Sequence, residues 1–312
     1  MPVICADFFY LGGTVEKPVL SLEEEEEEEP AEADAESARP MRKRPILVLW
    51  ESGSSALHSA MLPDKRASTR HTVENAVRCI DRHWGFAGQR VVLKGDGEPA
   101  LQAILEAVAR EHSGEATVEA TPRDDHGQAN GAAEQAVRIT LGLARTLLAA
   151  LADAVGVSDL PANSPVVPWA VRHGAWLHTH YVVGPDGKTP HLRLVGKPYR
   201  SPIAQFGEKV HYLLPRHLRT GKLGRKYALG VFQGREDRTG QVLVGTSEGV
   251  WRSPKFLRDP AESQFSLAAL DKVRGLPWEP LGRLGEDEYA RGGGAGGAGS
   301  GGGGGGGGSV LV

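Results

Sequence analysis

The stretch Arg90-Val-Val-Leu-Lys-Gly-Asp-Gly-Glu-Pro99 decides how this chain folds. Its consecutive apolar residues indicate a short buried strand, and the Gly-Asp-Gly that follows ends the strand on a carboxylate. Pro99 suits the first turn of a helix, because the N–H that proline lacks has no partner at that position. Apolar residues then recur at helical spacing at Leu101, Ile104, Leu105 and Val108. The stretch therefore predicts a strand, an acid at the strand end and a helix.

Segments on either side of this stretch predict a mixed sheet with helices on both faces. Three apolar runs precede it and predict strands within residues 3–11, 45–50 and 55–62. A helical stripe follows them at Val73, Val77, Ile80 and Trp84. Downstream come a strand over 116–120 and a helix with the apolar face Val137, Leu141, Ala144, Leu148 and Leu151. An antiparallel meander followed by strand–helix alternation is typical of an α/β fold with a mixed sheet.

Three acids occupy unusual places in this predicted fold. Asp7 lies inside an apolar strand, and Asp96 ends a strand between two glycines. Glu134 begins the last helix three residues before Val137, which predicts that it shares the inward face. Isolated carboxylates at such places are costly unless a cation balances them. Mg²⁺ prefers oxygen ligands, and a pair of such ions stabilises the attacking and leaving oxygens in phosphoryl displacement.

Each acid also has an ordinary structural explanation. Asp96 in Gly-Asp-Gly fits a turn, and Asp7 could pair with a nearby arginine. Glu134 is a favourable acid at a helix N-terminus. The combination favours the metal site, because all three acids stand in the chain order that one such site requires.

The chain resembles the catalytic core of retroviral-type integrases, in the form carried by LTR retrotransposon polyproteins. The matching segments are Asp7-Phe-Phe9, Leu93-Lys-Gly-Asp-Gly-Glu-Pro99 and Gly127-Gln-Ala-Asn-Gly-Ala-Ala-Glu134-Gln-Ala-Val-Arg138. The resemblance implies a ribonuclease-H-like, mixed five-stranded sheet flanked by helices. It implies that Asp7, Asp96 and Glu134 are catalytic and hold two Mg²⁺ ions, for which Mn²⁺ can substitute. It further implies DNA integration by a homo-oligomer, in the nucleus or in a cytoplasmic retroelement particle.

The domain organisation follows from the same resemblance and from the local composition. Residues 1–196 are predicted to form the core, with an acidic insert at 21–44 and a helical extension over 155–196. Short apolar runs separated by glycines and bases predict a small SH3-like β-barrel over 200–260. The remainder, 261–312, is a tail that is Gly-rich from 292. The insert, the tail and the lack of a His/Cys zinc module before Asp7 depart from the family pattern.

Charge is spread unevenly and indicates a polyanionic partner. The net charge is −3, but residues 23–36 hold ten acids and no base, whereas residues 191–260 hold 14 Lys and Arg against 5 Asp and Glu. A basic region of this kind favours contact with DNA, although a solvated charged face is the common alternative. The best candidates for backbone contacts cluster in one inter-strand segment: Arg216, Arg219, Lys222, Arg225 and Lys226.

Further candidates for nucleic-acid contact surround the acids. Arg138 and Arg145 follow Glu134 on the same helix, and the resemblance implies that bases there contact DNA. Arg138 could instead form an i, i+4 pair with Glu134. Lys94 is a candidate phosphate contact or an ordinary surface lysine. In the loop before the helix, His126, Gln128 and Asn130 could touch the scissile region, although simple loop polarity also explains them.

Several protein classes are not expected. Two cysteines, Cys5 and Cys79, cannot build a disulfide framework and are interpreted as small buried hydrophobes. The histidines His173, His178 and His180 lack a regular ligand spacing, so packed or surface positions are predicted rather than a zinc site. No secretory signal, membrane span or small-molecule substrate is expected. Two other functions stay open: an inactive, nucleic-acid-binding retroelement remnant and a hydrolytic nuclease on the same fold.

Overall fold

The structure is a computed structural model that describes residues 1–11, 43–121, 131–161, 163–219 and 221–281. The predictions for the acidic insert, the Gly-rich tail and the loop residues His126, Gln128 and Asn130 lie outside these ranges.

The first sheet has five strands in the order β3-β2-β1-β4-β5. These are β1 (Val3–Phe9), β2 (Ile46–Glu51), β3 (Ala56–Met61), β4 (Val91–Asp96) and β5 (Ala116–Thr121). Strands β1, β2 and β3 pair antiparallel, whereas β1 and β4, and β4 and β5, pair parallel. The predicted mixed five-stranded sheet is confirmed, with β1 at its centre.

Helices cover both faces of this sheet. On one face lie α1 (Arg70–Arg78), a π-helical turn (Cys79–His83) and α2 (Pro99–Glu111). On the other lie α3 (Gly131–Val155) and α4 (Val166–Tyr181), and the short α5 (Pro190–Val195) follows. Two-sided coverage explains why β2 is apolar without alternation, since both of its faces are buried.

The glycine before Asp96 is required by helix packing. A Cβ at Gly95 would lie 2.8 Å from Leu105 Cδ1 and 2.9 Å from Leu101 Cδ2. Both leucines belong to the stripe of α2 that packs on the sheet. Gly95 therefore lets α2 approach the end of β4, which brings the helix start close to Asp96.

The second sheet is antiparallel, with the strand order β10-β6-β7-β8-β9. Its strands are β6 (Lys209–Leu213), β7 (Tyr227–Arg235), β8 (Val242–Thr246), β9 (Gly249–Ser253) and β10 (Phe256–Arg258). A short helix, α6 (Leu267–Leu270), follows. This antiparallel sheet is compatible with the predicted SH3-like module, but among the described residues it does not close into a barrel, because β9 and β10 lie at opposite ends of the strand order and do not pair with each other. The strands over 249–258 also have too few consecutive apolar residues to have been predicted.

The second sheet packs against the helices of the first. Leu151 of α3 and Trp169 of α4 share a core with Val231 and Leu243 of the second sheet. The indole Nε1 of Trp169 also donates a hydrogen bond to the Gly275 carbonyl at 3.0 Å. Residues 1–282 consequently form one compact unit. The boundary near residue 200 stays a sequence-based prediction.

Helix α3 corrects one expectation about apolar segments. By length and composition it could cross a membrane, with a mean hydropathy of 1.2 over its best 18-residue window. A core helix of a soluble protein passes the same test. Here the buried positions of α3, which include Ala133, Ala136 and Ala144, pack against the first sheet and α4.

Candidate functional site

Asp7 and Asp96 lie at the same level on neighbouring parallel strands. In the register of β1 and β4, Cys5 is opposite Lys94, so Asp7 and Asp96 each follow two residues later. Side chains alternate between the faces of a strand. Ile4 and Leu93 face α1 and α2, and Cys5 faces α3 and α4. Asp7 and Asp96 therefore point to the face that α3 covers.

Backbone amides hold both carboxylates in place. The N–H of Phe8 donates to Asp7 Oδ1 at 2.7 Å, and the N–H of Glu98 donates to Asp96 Oδ1 at 3.0 Å. The carbonyl of Asp96 also accepts a hydrogen bond from Gln102 Nε2 at 2.5 Å. Each acid keeps an oxygen for which no other partner is found among the described residues, and both side chains are half-buried.

Glu134 lies in the first turn of α3, near the ends of β1 and β4 where Asp7 and Asp96 lie. The prediction that its side chain lies on the inward face is wrong: Glu134 is exposed, and its neighbour Ala133 is fully buried against the sheet. The prediction assigned Glu134 to the buried face by its helical spacing from Val137. It failed because Val137 is itself only half-buried. The Glu134 side chain therefore lies in solvent, next to the buried face of α3 and near the ends of the strands.

Electrostatics show that these acids share one environment. Burial raises the pKa of Asp7 to about 6, partly offset by the Phe8 amide, and the charges of Asp96, Glu98 and Glu134 raise it further. Three separate elements thus place negative charge around Asp7. Negative charge gathered around a half-buried carboxylate is the condition that a bound cation relieves.

Glu98 and Lys65 belong to the same edge and were not predicted from the sequence. Lys65 Nζ contacts Glu98 Oε1 at 2.5 Å and lies 4.8 Å above the Phe8 ring and 5.2 Å above the Tyr10 ring. Glu98 could have been found, since it stands in the Asp-Gly-Glu-Pro stretch beside Asp96. No local pattern marks Lys65, whose place is decided by the chain path between β3 and α1.

The donor set fits a hard divalent cation such as Mg²⁺. It consists of carboxylate oxygens, the ligands that Mg²⁺ prefers. The carboxylate oxygens of Asp7, Asp96 and Glu134 do not all lie within 4.8 Å of one another. Among the described residues, a group of possible metal ligands that meets this distance is formed by His58, Cys79 and His83.

The predicted nucleic-acid residues near the acids divide into two groups. Arg138 and Arg145 are exposed on α3, and no ion pair joins Arg138 to Glu134 among the described residues, which leaves the guanidinium available. Lys94 instead pairs with Glu119 on β5 at 3.1 Å. That ion pair is half-exposed, so a phosphate would have to compete with Glu119 for the ammonium.

The predicted basic cluster occupies the connection between β6 and β7. Arg216, Lys222, Arg225 and Lys226 are exposed, whereas Arg219 is half-buried and donates to the Leu214 carbonyl at 2.8 Å. Leu223 stands fully in solvent among them. The connection is therefore an outward-facing basic surface that also exposes the apolar side chains of Leu218 and Leu223.

No protein-family model and no curated protein matches the chain. The solved structures that it resembles include retroviral integrases. The HTLV-2 integrase catalytic core domain in complex with magnesium is 13% identical, with a TM-score of 0.36, over 62% of this chain and 94% of that chain. The BIV integrase catalytic core domain is 15% identical, with a TM-score of 0.36, over 62% and 93%.

A larger assembly is similar to the same degree. The simian T-cell lymphotropic virus intasome, in complex with a PP2A regulatory subunit, is 14% identical, with a TM-score of 0.36, over 83% of this chain and 78% of that chain. At such identities and scores, the functional assignment has to rest on the site residues of this chain.

Proposed function

We propose that this chain is a metal-dependent polynucleotidyl transferase of the integrase type, which processes DNA 3′ ends and transfers them to a target DNA. The observation that carries the proposal is the set of carboxylates around Asp7. Asp96 faces it from the neighbouring strand and Glu134 acts on it from the next helix.

The chain's own groups would position the metal and the DNA. Bound Mg²⁺ would supply charge neutralisation at the reacting phosphate and activation of the attacking hydroxyl. Asp7, Asp96 and Glu134 would hold the ions, with the Phe8 and Glu98 amides orienting the two aspartates. No protein nucleophile is required, since positioning and charge neutralisation carry phosphoryl transfer.

Exposed bases would guide the nucleic acid to this edge. Arg138 lies one turn beyond Glu134, and Arg145 lies two turns further along α3. Contacts from these residues and from the β6–β7 connection would go to the phosphate backbone, which brings affinity without sequence reading. DNA is thus the proposed partner, and a homo-oligomer is proposed as the working assembly.

Substitution of Asp96 by asparagine tests the proposal. Asp96→Asn keeps the side-chain shape and the oxygen that accepts from Glu98, but removes the charge. We expect Mg²⁺-dependent strand transfer on oligonucleotides that mimic element ends to fall by about a thousandfold or more. Asp153→Asn, at an exposed acid near the far end of α3, is the matched control and should retain activity.

The products of the same assay separate the alternatives. Strand joining supports an integrase, whereas cleavage without joining would indicate a hydrolytic nuclease. DNA binding without either product, in the unaltered chain, would indicate a retroelement protein that has lost catalysis. Undiminished transfer by Asp96→Asn would contradict the assignment of the acids.

A further inference from the structure

A second group of possible metal ligands lies away from the acids. The ligand atoms of His58, Cys79 and His83 all lie within 4.8 Å of one another. They line a cavity of about 230 Å³ whose wall also includes Asp237 and His180. His58 and Cys79 are buried, and His83 is nearly so, with 11% of its side chain exposed.

The local backbone turns Cys79 and His83 to one side. Residues Cys79–His83 form a π-helical turn at the end of α1, in which the N–H of Trp84 donates to the Cys79 carbonyl at 2.9 Å. Such turns are rare and occur often at functional sites. With its wider winding, residues four apart return to nearly the same side. His58 reaches the same cavity from β3.

Each of the two imidazoles has a ring nitrogen available to bind a cation. In the described part of the chain, both ring nitrogens of His83 are buried without a hydrogen-bond partner. His58 Nε2 lies 2.7 Å from Asn75 Oδ1, to which it donates, so Nδ1 keeps its lone pair. A metal-bound histidine commonly donates its other N–H to an oxygen in this manner.

Asp237 brings a carboxylate to the cluster from the second sheet. It lies in the turn between β7 and β8, with Oδ2 at 3.5 Å from His83 Nδ1 and 2.9 Å from Arg172 Nη2. Among the described residues the His83 ring has no hydrogen-bond partner although it lies next to a carboxylate, an arrangement that a shared cation would resolve.

We propose that His58, Cys79 and His83 bind a Zn²⁺ ion, with Asp237 as the fourth ligand. Imidazole, thiolate and carboxylate in a four-coordinate set are the donors that Zn²⁺ takes in proteins, whereas a sulfur donor disfavours Mg²⁺. The ion would join β3, the π-helical turn and the β7–β8 hairpin. It would fasten the second sheet to the first, and it is independent of the proposed transferase site.

Binding of Zn²⁺ would release a proton from Cys79, because the thiolate is the form of cysteine that binds the metal. The Zn–S bond would form as the S–H bond breaks, and the proton would pass to solvent.

Titration of the metal-free full-length chain with Co²⁺ tests the site. Co²⁺ replaces Zn²⁺ and shows a near-ultraviolet charge-transfer band only when a thiolate binds it. We expect this band in the unaltered chain and in Cys5→Ser, which changes the other buried cysteine in a different core. We expect it to be absent in Cys79→Ser. No band in the unaltered chain, or a band that persists in Cys79→Ser, would overturn the proposal.

Two further variants protect the test against misfolding of Cys79→Ser. His83→Gln replaces a side chain at the rim of the cavity, and we expect Zn²⁺ to raise its melting temperature much less than that of the unaltered chain. Asp237→Asn should weaken Co²⁺ binding about 10- to 100-fold. An equal Zn²⁺ effect in His83→Gln would overturn the site, and unchanged affinity in Asp237→Asn would overturn the assignment of the fourth ligand.

Discussion

The two sheets carry charges of opposite sign, acids at the ends of β1 and β4 and bases in the β6–β7 connection, and these charges differ in how far they are buried. In the first sheet, half-buried acids lie at the ends of β1 and β4, and burial together with the charges of the neighbouring acids raises the pKa of Asp7. In the second sheet, bases stand in solvent between β6 and β7. A half-buried charge requires a counter-ion, whereas an exposed one is stabilised by water. This difference agrees with the proposed roles, in which the acids bind a cation and the bases attract a polyanion.

The second sheet also contains a buried acid, Glu208, whose two carboxylate oxygens both have partners. Glu208 is completely buried, and Arg258 Nε and Nη2 donate to its two carboxylate oxygens at 2.7 and 2.9 Å. The same carboxylate accepts the N–H of Gln205. In the second sheet the protein thus supplies the counter-charge of its buried acid, whereas among the acids of the first sheet Lys65 pairs with Glu98 but no ion pair to Asp7 or Asp96 is found in the described residues.

The largest expected change in stability comes from breaking that pair. Arg258→Ala leaves Glu208 buried without its cation, and we expect the free energy of unfolding to fall by about 2–4 kcal/mol, at the lower part of the usual range because Arg258 is 43% exposed. Chemical denaturation would measure the loss. A control, Arg252→Ala, removes an exposed arginine from β9 and should change stability little. Equal losses in both variants would contradict the role given to the Glu208 pair.

A change of opposite sign is expected at the acidic edge. Asp7→Asn removes a repelled charge, so the metal-free chain should become more stable at pH 7 by on the order of 1 kcal/mol, a figure reduced for partial solvent screening. The same variant should lose strand transfer. A stability loss in Asp7→Asn would show that the acids do not repel one another in the folded chain.

The pH dependence of the metal-free chain sharpens this point. Because the folded pKa of Asp7 is about 6 and the ordinary value is 3.8, the folded state binds the proton more tightly between these values. Asp7 therefore adds stability as the pH falls from about 6 to about 4, and removes it as the pH rises. Thermal unfolding across this range should show a smaller rise on acidification in Asp7→Asn than in the unaltered chain.

The smallest effect on stability is expected at the basic connection. Arg225→Ala should change the free energy of unfolding by less than about 0.5 kcal/mol, because the side chain is exposed. It should weaken DNA binding and lower the slope of log K against log salt by about 1. Arg110→Ala, an exposed base on α2 across the sheet from α3, is the matched control. An unchanged slope in Arg225→Ala would remove this residue from the DNA surface.

Much of the first sheet could be predicted because its information is local. Apolar runs, helical spacing and Pro99 define its strands and helices, and all of them occur where the sequence indicates. The same holds for Asp7 and Asp96, which strand alternation and parallel register bring to one face. The orientation of Glu134 was predicted wrongly, since the face that a helix buries depends on how it docks and Val137 is only half-buried.

The sequence by itself determined the strand order of the meander, the helices on both faces and the placing of two acids at one sheet edge. Only the tertiary structure decided that the second sheet stays open, that Lys65 and Glu98 join the acids, and that His58, Cys79, His83 and Asp237 meet. The last four come from β3, a π-helical turn and a distant hairpin. Their meeting depends on packing between the two sheets, and no local spacing encodes contacts made across such an interface.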